Sequence, residues 1–271
     1  MDIKYFSPRW GYDDEDFSSY CVRLAEAGFD GMELNLAEDP AAAERQIETL
    51  SAHGLDYIAQ HSGTRMPDFE THRTHYRASL ERIAAFKPRL INAHTGRDWF
   101  ADEQNLQLID IAAEISETSN VPVVHETHRG RFSFSAALTF RYLKKRPGLR
   151  LASDFSHWCC VSESFLQDQE EAVQAAIERT DLIHARIGHD QGPQVNDPRA
   201  PEWKDALDLY LGWWDRVVAC HEETGSAVLM ITTEFGPPPY TPVAAYTQEP
   251  VSSQWELNLY MLRCLKARFT Q

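Results

Sequence analysis

A short apolar run followed by a longer amphipathic run recurs eight times from residue 3 to residue 269, and few folds accept that rhythm. Strand-period runs that alternate with helix-period runs call for parallel strands joined by helical crossovers. The strands read as 3–6, 31–34, 55–60, 90–93, 121–124, 149–153, 182–187 and 228–233. The helices read as 14–27, 41–52, 69–86, 104–117, 135–145, 170–179, 203–223 and 252–269. Within 104–117, Leu108, Ile111, Ala112 and Ile115 form one buried stripe, and Gly28 and Gly54 stop the first two helices as glycine C-caps do. Eight such units fit a closed (β/α)8 TIM barrel of about 250 residues, so the 271-residue chain is expected to be one domain, 1–271. An open doubly wound sheet would need a glycine-rich phosphate loop after the first strand, and Ser7-Pro8-Arg9-Trp10-Gly11 is not one.

In a barrel the C-terminal strand ends surround one mouth, so residues remote in sequence meet there. The stretch from Leu151 to Trp158 shows the pattern. If Ala152 faces in, period-two alternation turns Asp154 inward at the strand tip, and His157 follows on the turn. The other ends supply Glu33, His61, His94, Glu126, His184 with Arg186, and Glu234. Several carboxylates in one low-dielectric mouth repel each other unless a cation intervenes. Glu126, Asp154, His184 and Glu234 offer three carboxylates and an imidazole, a donor set suited to Mn²⁺, Mg²⁺ or Co²⁺, with Zn²⁺ also accommodated.

These motifs carry a resemblance. Gly28-Phe29-Asp30-Gly31-Met32-Glu33-Leu34, His125-Glu126-Thr127-His128, Asp154-Phe155-Ser156-His157, Ile183-His184-Ala185-Arg186 and Thr233-Glu234-Phe235-Gly236 span most of the chain. Together they resemble the xylose-isomerase-like barrel superfamily, which includes sugar isomerases and epimerases and shares its fold with an apurinic endonuclease family. The resemblance implies that Glu126, Asp154, His184 and Glu234 ligate the metal and that His157 and Arg186 face the substrate. It also implies isomerase or epimerase chemistry on a small carbohydrate, with Glu126 and Glu234 as the catalytic pair. A lyase or dehydratase, an endonuclease-like hydrolase and a non-catalytic sugar-binding barrel are the alternatives.

Glu33, His61, His94 and His128 are further substrate-binding candidates, each with a plain reading as a satisfied polar group of the barrel. Arg186 has an ion pair with a neighbouring carboxylate as its alternative role. The segment 188–198 reads as a lid loop or a rigid surface loop. Tyr240, after three prolines, is placed to close the mouth, and Trp10 follows a strand end where rim packing is its expected role.

The formal net charge of -15 disfavours nucleic acid and anionic membranes as partners. No apolar run reaches the roughly 20 residues of a membrane span. The N-terminus lacks signal-peptide character, and five cysteines without paired spacing argue against a disulfide framework. A cytoplasmic protein is expected, with a homo-oligomer left open.

Overall fold

Eight parallel strands, β1 Asp2–Pro8, β2 Gly31–Leu34, β3 Asp56–His61, β4 Ile91–Ala93, β5 Val123–Glu126, β6 Leu151–Ser153, β7 Thr180–His184 and β8 Val228–Thr232, pair in sequence order. β1 pairs with both β2 and β8, which closes the barrel in this computed structural model, in which residues 1–269 are described. The helices that follow are α1 Phe17–Ala27, α2 Pro40–Ala52, α3 Phe69–Ala85, α4 Asp102–Ser119 and α5 Ala136–Lys145. After β6 come α6 Phe155–Ser162 and α7 Glu170–Ile177, then α8 Lys204–Glu223 after β7 and α9 Gln254–Phe269 after β8.

Local chemistry starts these helices where the strands hand over. Asp16, Asp39 and Asp68 each accept a backbone N–H three residues on, at 2.8–2.9 Å, and so cap α1, α2 and α3. Gly28 ends α1 at φ 86°, a conformation that costs an L side chain energy. No helix among the described residues is long and apolar enough to cross a membrane.

Phe6, Ile58, Leu90, Val124, Ala152 and Leu182, with Met230 beside them, pack inside the barrel as its apolar floor. The outward faces of the strands pack against the helices in the larger core. Two residues beyond the floor, period-two alternation brings a polar layer inward: Asn92, Glu126, Asp154, His184 and Thr232. All five are buried.

Two local expectations change. The turn after β6 is the first turn of α6, because Asp154 accepts the Ser156 amide and caps a helix whose Phe155, Trp158 and Cys159 are buried. β7 ends at His184, and residues 185–187 leave the ladder although Arg186 keeps the inward direction of Leu182 and His184.

Candidate metal centre at the barrel mouth

One ligand atom from each of Glu126, Asp154, His184 and Glu234 lies within 4.8 Å of the others. Glu126 ends β5, His184 ends β7, and Asp154 and Glu234 follow β6 and β8 on the same inward parity. His184 Nδ1 stands 2.6 Å from Glu234 Oε2 and 3.7 Å from Glu126 Oε2. Despite that proximity, both His184 Nδ1 and Glu234 Oε2 are buried with no partner of hydrogen-bonding geometry. A cation seated between them supplies the missing partner to both, so this donor set fits a divalent ion.

The remainder of the imidazole is held from below. His184 Nε2 lies 3.1 Å from Glu33 Oε2, and Glu33 also accepts from Asn92 Nδ2 at 2.8 Å and Thr232 Oγ1 at 2.6 Å. A carboxylate on the distal nitrogen is the usual way a protein orients a metal-binding imidazole. Asn92 also donates to Glu126 Oε2 at 2.8 Å, which ties the layer together.

Four buried carboxylates, those of Glu33, Glu126, Asp154 and Glu234, here face the guanidinium of Arg186 and the imidazoles of His184 and His94. Burial, reinforced by Glu126, pushes the Glu234 carboxyl up to about 7 against the pull of His184 and Arg186. Burial disfavours the charged form of His184, but Glu234, Glu33 and Glu126 outweigh it and hold the ring well above its usual range. Burial likewise opposes ionisation of Glu126, yet His94 and His184 carry it well below the usual carboxylate range. A dication among these oxygens would relieve the excess negative charge.

Asp154 divides its oxygens. Oδ1 accepts from the Ser156 amide at 3.0 Å and hydroxyl at 2.5 Å, while Oδ2 pairs with Arg186 Nη2. Arg186 therefore makes the ion pair named as its alternative role, and it also lines the cavity. Its Nη2 lies 3.7 Å from Glu234 Oε2, and its guanidinium sits 4.7 Å from the Tyr240 ring centre. Trp10 meets Tyr240 edge-on at 4.9 Å, and the two aromatics cover the arginine.

A cavity of about 750 Å³ opens over the cluster, lined by Trp10, Glu33, His94, Glu126, His128, Arg186, Glu234 and Tyr240 among others. His94 Nε2 lies 2.8 Å from Glu126 Oε2, and ligand atoms of His94, Glu126 and His128 form a second close group.

Two sequence candidates fall elsewhere. His157, expected against the substrate, is fully buried, with Nε2 3.1 Å from Arg186 Nη2 and its ring 4.0 Å from that of His128. His61 points out of the barrel toward α3: Ile58 is in the floor, so alternation turns Gln60 inward and His61 outward. There it meets Thr64 Oγ1 at 2.7 Å and the Tyr76 ring, and burial lowers its pKa to about 3. The segment 188–198 is tied to the loop after β8. Gln194 within it bonds Gly236 and Thr241, and none of its residues lines the cavity.

Asn92 and Thr232 escaped the sequence reading. Each lies two residues before an inward-facing candidate, His94 and Glu234, and the same alternation would have found both.

A closed eightfold parallel barrel with carboxylates and an imidazole converging at its C-terminal mouth defines a (β/α)8 barrel protein with a candidate metal centre. The chain belongs to the family described as Xylose isomerase-like TIM barrel, which matches residues 21–201. No curated protein sequence is similar enough to stand as a relative. Among solved structures, a 3-keto-D-glucoside 4-epimerase from E. coli superposes with TM-score 0.67 at 13% identity, over 98% of this chain and 100% of that one. A probable 3-DHS dehydratase from Bacillus anthracis gives 0.60 at 16% identity, over 97% and 98%. Endonuclease IV from Thermus thermophilus gives 0.57 at 13% identity, over 98% of each chain. At such identities the likeness is one of fold.

If the cluster holds an ion, purified protein should carry about one divalent metal per chain. At free metal 100-fold above Kd, linkage adds about 2.7 kcal/mol to the native state, so chelation should lower the thermal midpoint by several degrees and Mn²⁺ should restore it. An unchanged midpoint together with no metal by elemental analysis would remove the site.

Proposed function

We propose that this chain is a divalent-metal-dependent isomerase or epimerase of a small sugar or keto-sugar, acting through an enediolate. What carries this reading is that Glu126 and Glu234, from different sides of the barrel, line one cavity and both stand beside His184 Nδ1. The oxygen-rich donor set favours Mn²⁺, Mg²⁺ or Co²⁺.

A divalent ion held by Glu126, Asp154, His184 and Glu234 would polarise a carbonyl and its neighbouring hydroxyl and offset the charge of the enediolate. Glu126 takes the carbon-bound proton and Glu234 returns one, with the roles exchanged in the reverse direction. His94 steadies Glu126 as the base, and Glu33 fixes the His184 ring. Arg186 keeps Asp154 in place, while Trp10 and Tyr240 shield that pair from water.

Reaction of a turned-over ketose in heavy water tests the chemistry. Proton transfer through a carboxylate that exchanges with solvent should place deuterium on the carbon next to the carbonyl. The expected product is labelled and otherwise unchanged in formula. Unlabelled isomer would replace the enediolate with a hydride shift, and loss of water would make the protein a lyase.

A further inference from the structure

Of the four arginines that line the cavity from the successive loops after β3, β4 and β5, Arg129 lies over the Tyr240 ring, and Arg65, Arg97 and Arg131 stand together as one wall. Among the described residues none of them has a carboxylate within ion-pair distance, in a chain whose net charge is -15. Some arginines away from the cavity, such as Arg82 and Arg179, also bond only to carbonyls, whereas others are paired. Arg77, Arg146, Arg150 and Arg268 are each clamped by an acidic side chain at 2.5–2.7 Å.

Arg131 is the anchor of the wall. It is 4% exposed, and its Nη1 and Nη2 donate to the carbonyls of Thr64 and Ser62 at 3.0 and 3.1 Å. Those bonds pin the loop that carries Arg65, but carbonyls do not cancel a charge. Burial first, and then repulsion by Arg97 and Arg65, brings the Arg131 guanidinium down to about 10. Arg97 is half-buried, and its Nε is buried without a hydrogen-bond partner. Like charges held together beside a cavity, with donors left over, favour an anion in that cavity. The same cavity is lined by Glu126 and Glu234, so an anion at this wall belongs to whatever molecule reaches the metal cluster.

We propose that Arg65, Arg97 and Arg131 bind the oxyanion of the substrate, so that the molecule acted on is a sugar acid or a sugar phosphate and not a neutral sugar. The inference rests on the function proposed above for the cluster, but the binding it requires does not depend on turnover. Planar guanidinium forks match carboxylate and phosphate oxygens equally well, so the two sources share one recognition chemistry.

Calorimetric titration of metal-loaded protein with inorganic phosphate, with D-gluconate and with neutral D-sorbitol separates them. At least one of the two anions should bind about tenfold or more tightly than sorbitol, and Arg97→Gln should weaken that anion by about tenfold, as loss of a charge-assisted hydrogen bond does. The Arg65→Gln/Arg97→Gln double variant should weaken it further, with sorbitol unaffected in both. Both side chains reach the surface, so these variants should fold, and matching circular dichroism checks it. Preference for gluconate identifies a carboxylate substrate, and preference for phosphate identifies a phosphate ester. Anion affinity equal in wild type and both variants, binding no tighter than that of sorbitol, or no anion binding at all would overturn the inference. Arginine-dependent anion binding without deuterium exchange on any ketose would sink the isomerase reading alone; exchange on neutral ketoses with arginine-independent binding would do the reverse.

Discussion

Glu234→Gln should lower turnover by about 10²–10⁴-fold, the range set by loss of a general acid-base group. The amide keeps the size of the side chain and one oxygen beside His184 Nδ1, so the barrel and a bound ion should both survive. What it removes is a buried group able to take and return a proton. Arg186 Nη1 donates to the backbone carbonyl of residue 234, at 3.4 Å, so the loop geometry does not depend on the carboxylate. Steady-state kinetics and metal content measured on the same preparation decide the matter. Wild-type turnover would exclude Glu234 as an obligatory proton carrier. Loss of metal in parallel with loss of turnover would assign it a ligand role and leave its proton role open to the deuterium experiment.

Asp154→Ala should destabilise the fold by about 3–5 kcal/mol, the usual cost of stripping one partner from a buried ion pair. Arg186 is 2% exposed and would be left facing His157 and Tyr240, with only the more distant Glu234 carboxylate, 3.7 Å from Nη2, in place of Asp154. The same change removes the cap of α6, which accepts from the Ser156 amide, at a further cost of about 1 kcal/mol. For a chain of this size the thermal midpoint should fall by on the order of 10 °C. Asp154→Asn separates the two effects. It retains a capping oxygen and the side-chain volume while losing the charge, so its loss should be smaller than that of the alanine variant. An alanine variant that melts with the wild type would mean that Arg186 finds another anion or water, and the ion pair would carry no structural weight.

The spacing of apolar residues was enough to read the eight strand-helix units, because strand and helix periods differ and each unit repeats the contrast. The same alternation brought Glu126, Asp154, His184 and Glu234 to one mouth. Glu126, Asp154 and His184 each lie two residues beyond an apolar floor residue, and Glu234 lies four beyond Met230. His61 shows where the reading failed. Grouping it with the other strand ends ignored its parity with Ile58, and one residue of offset moves a side chain from the cavity to the layer under the helices. His157 differs in another way, since the turn was expected to bring it to the substrate, whereas α6 buries it against Arg186 and Asp154.

Period and parity are local properties of the chain, and they determined the barrel and the inward direction of its polar layer. Only the closed structure decided which groups touch across it. Glu33 on β2 and His184 on β7 are 151 positions apart, and their pairing exists because barrel closure brings opposite strands within a side chain's reach. Arg186 sits between Asp154 and Glu234, and the choice of the nearer carboxylate follows from the start of α6. The arginine wall was equally hidden. Its members come from three loops without periodicity, and loop direction is set by what each loop packs against, here the grip of Arg131 on the carbonyls of Ser62 and Thr64.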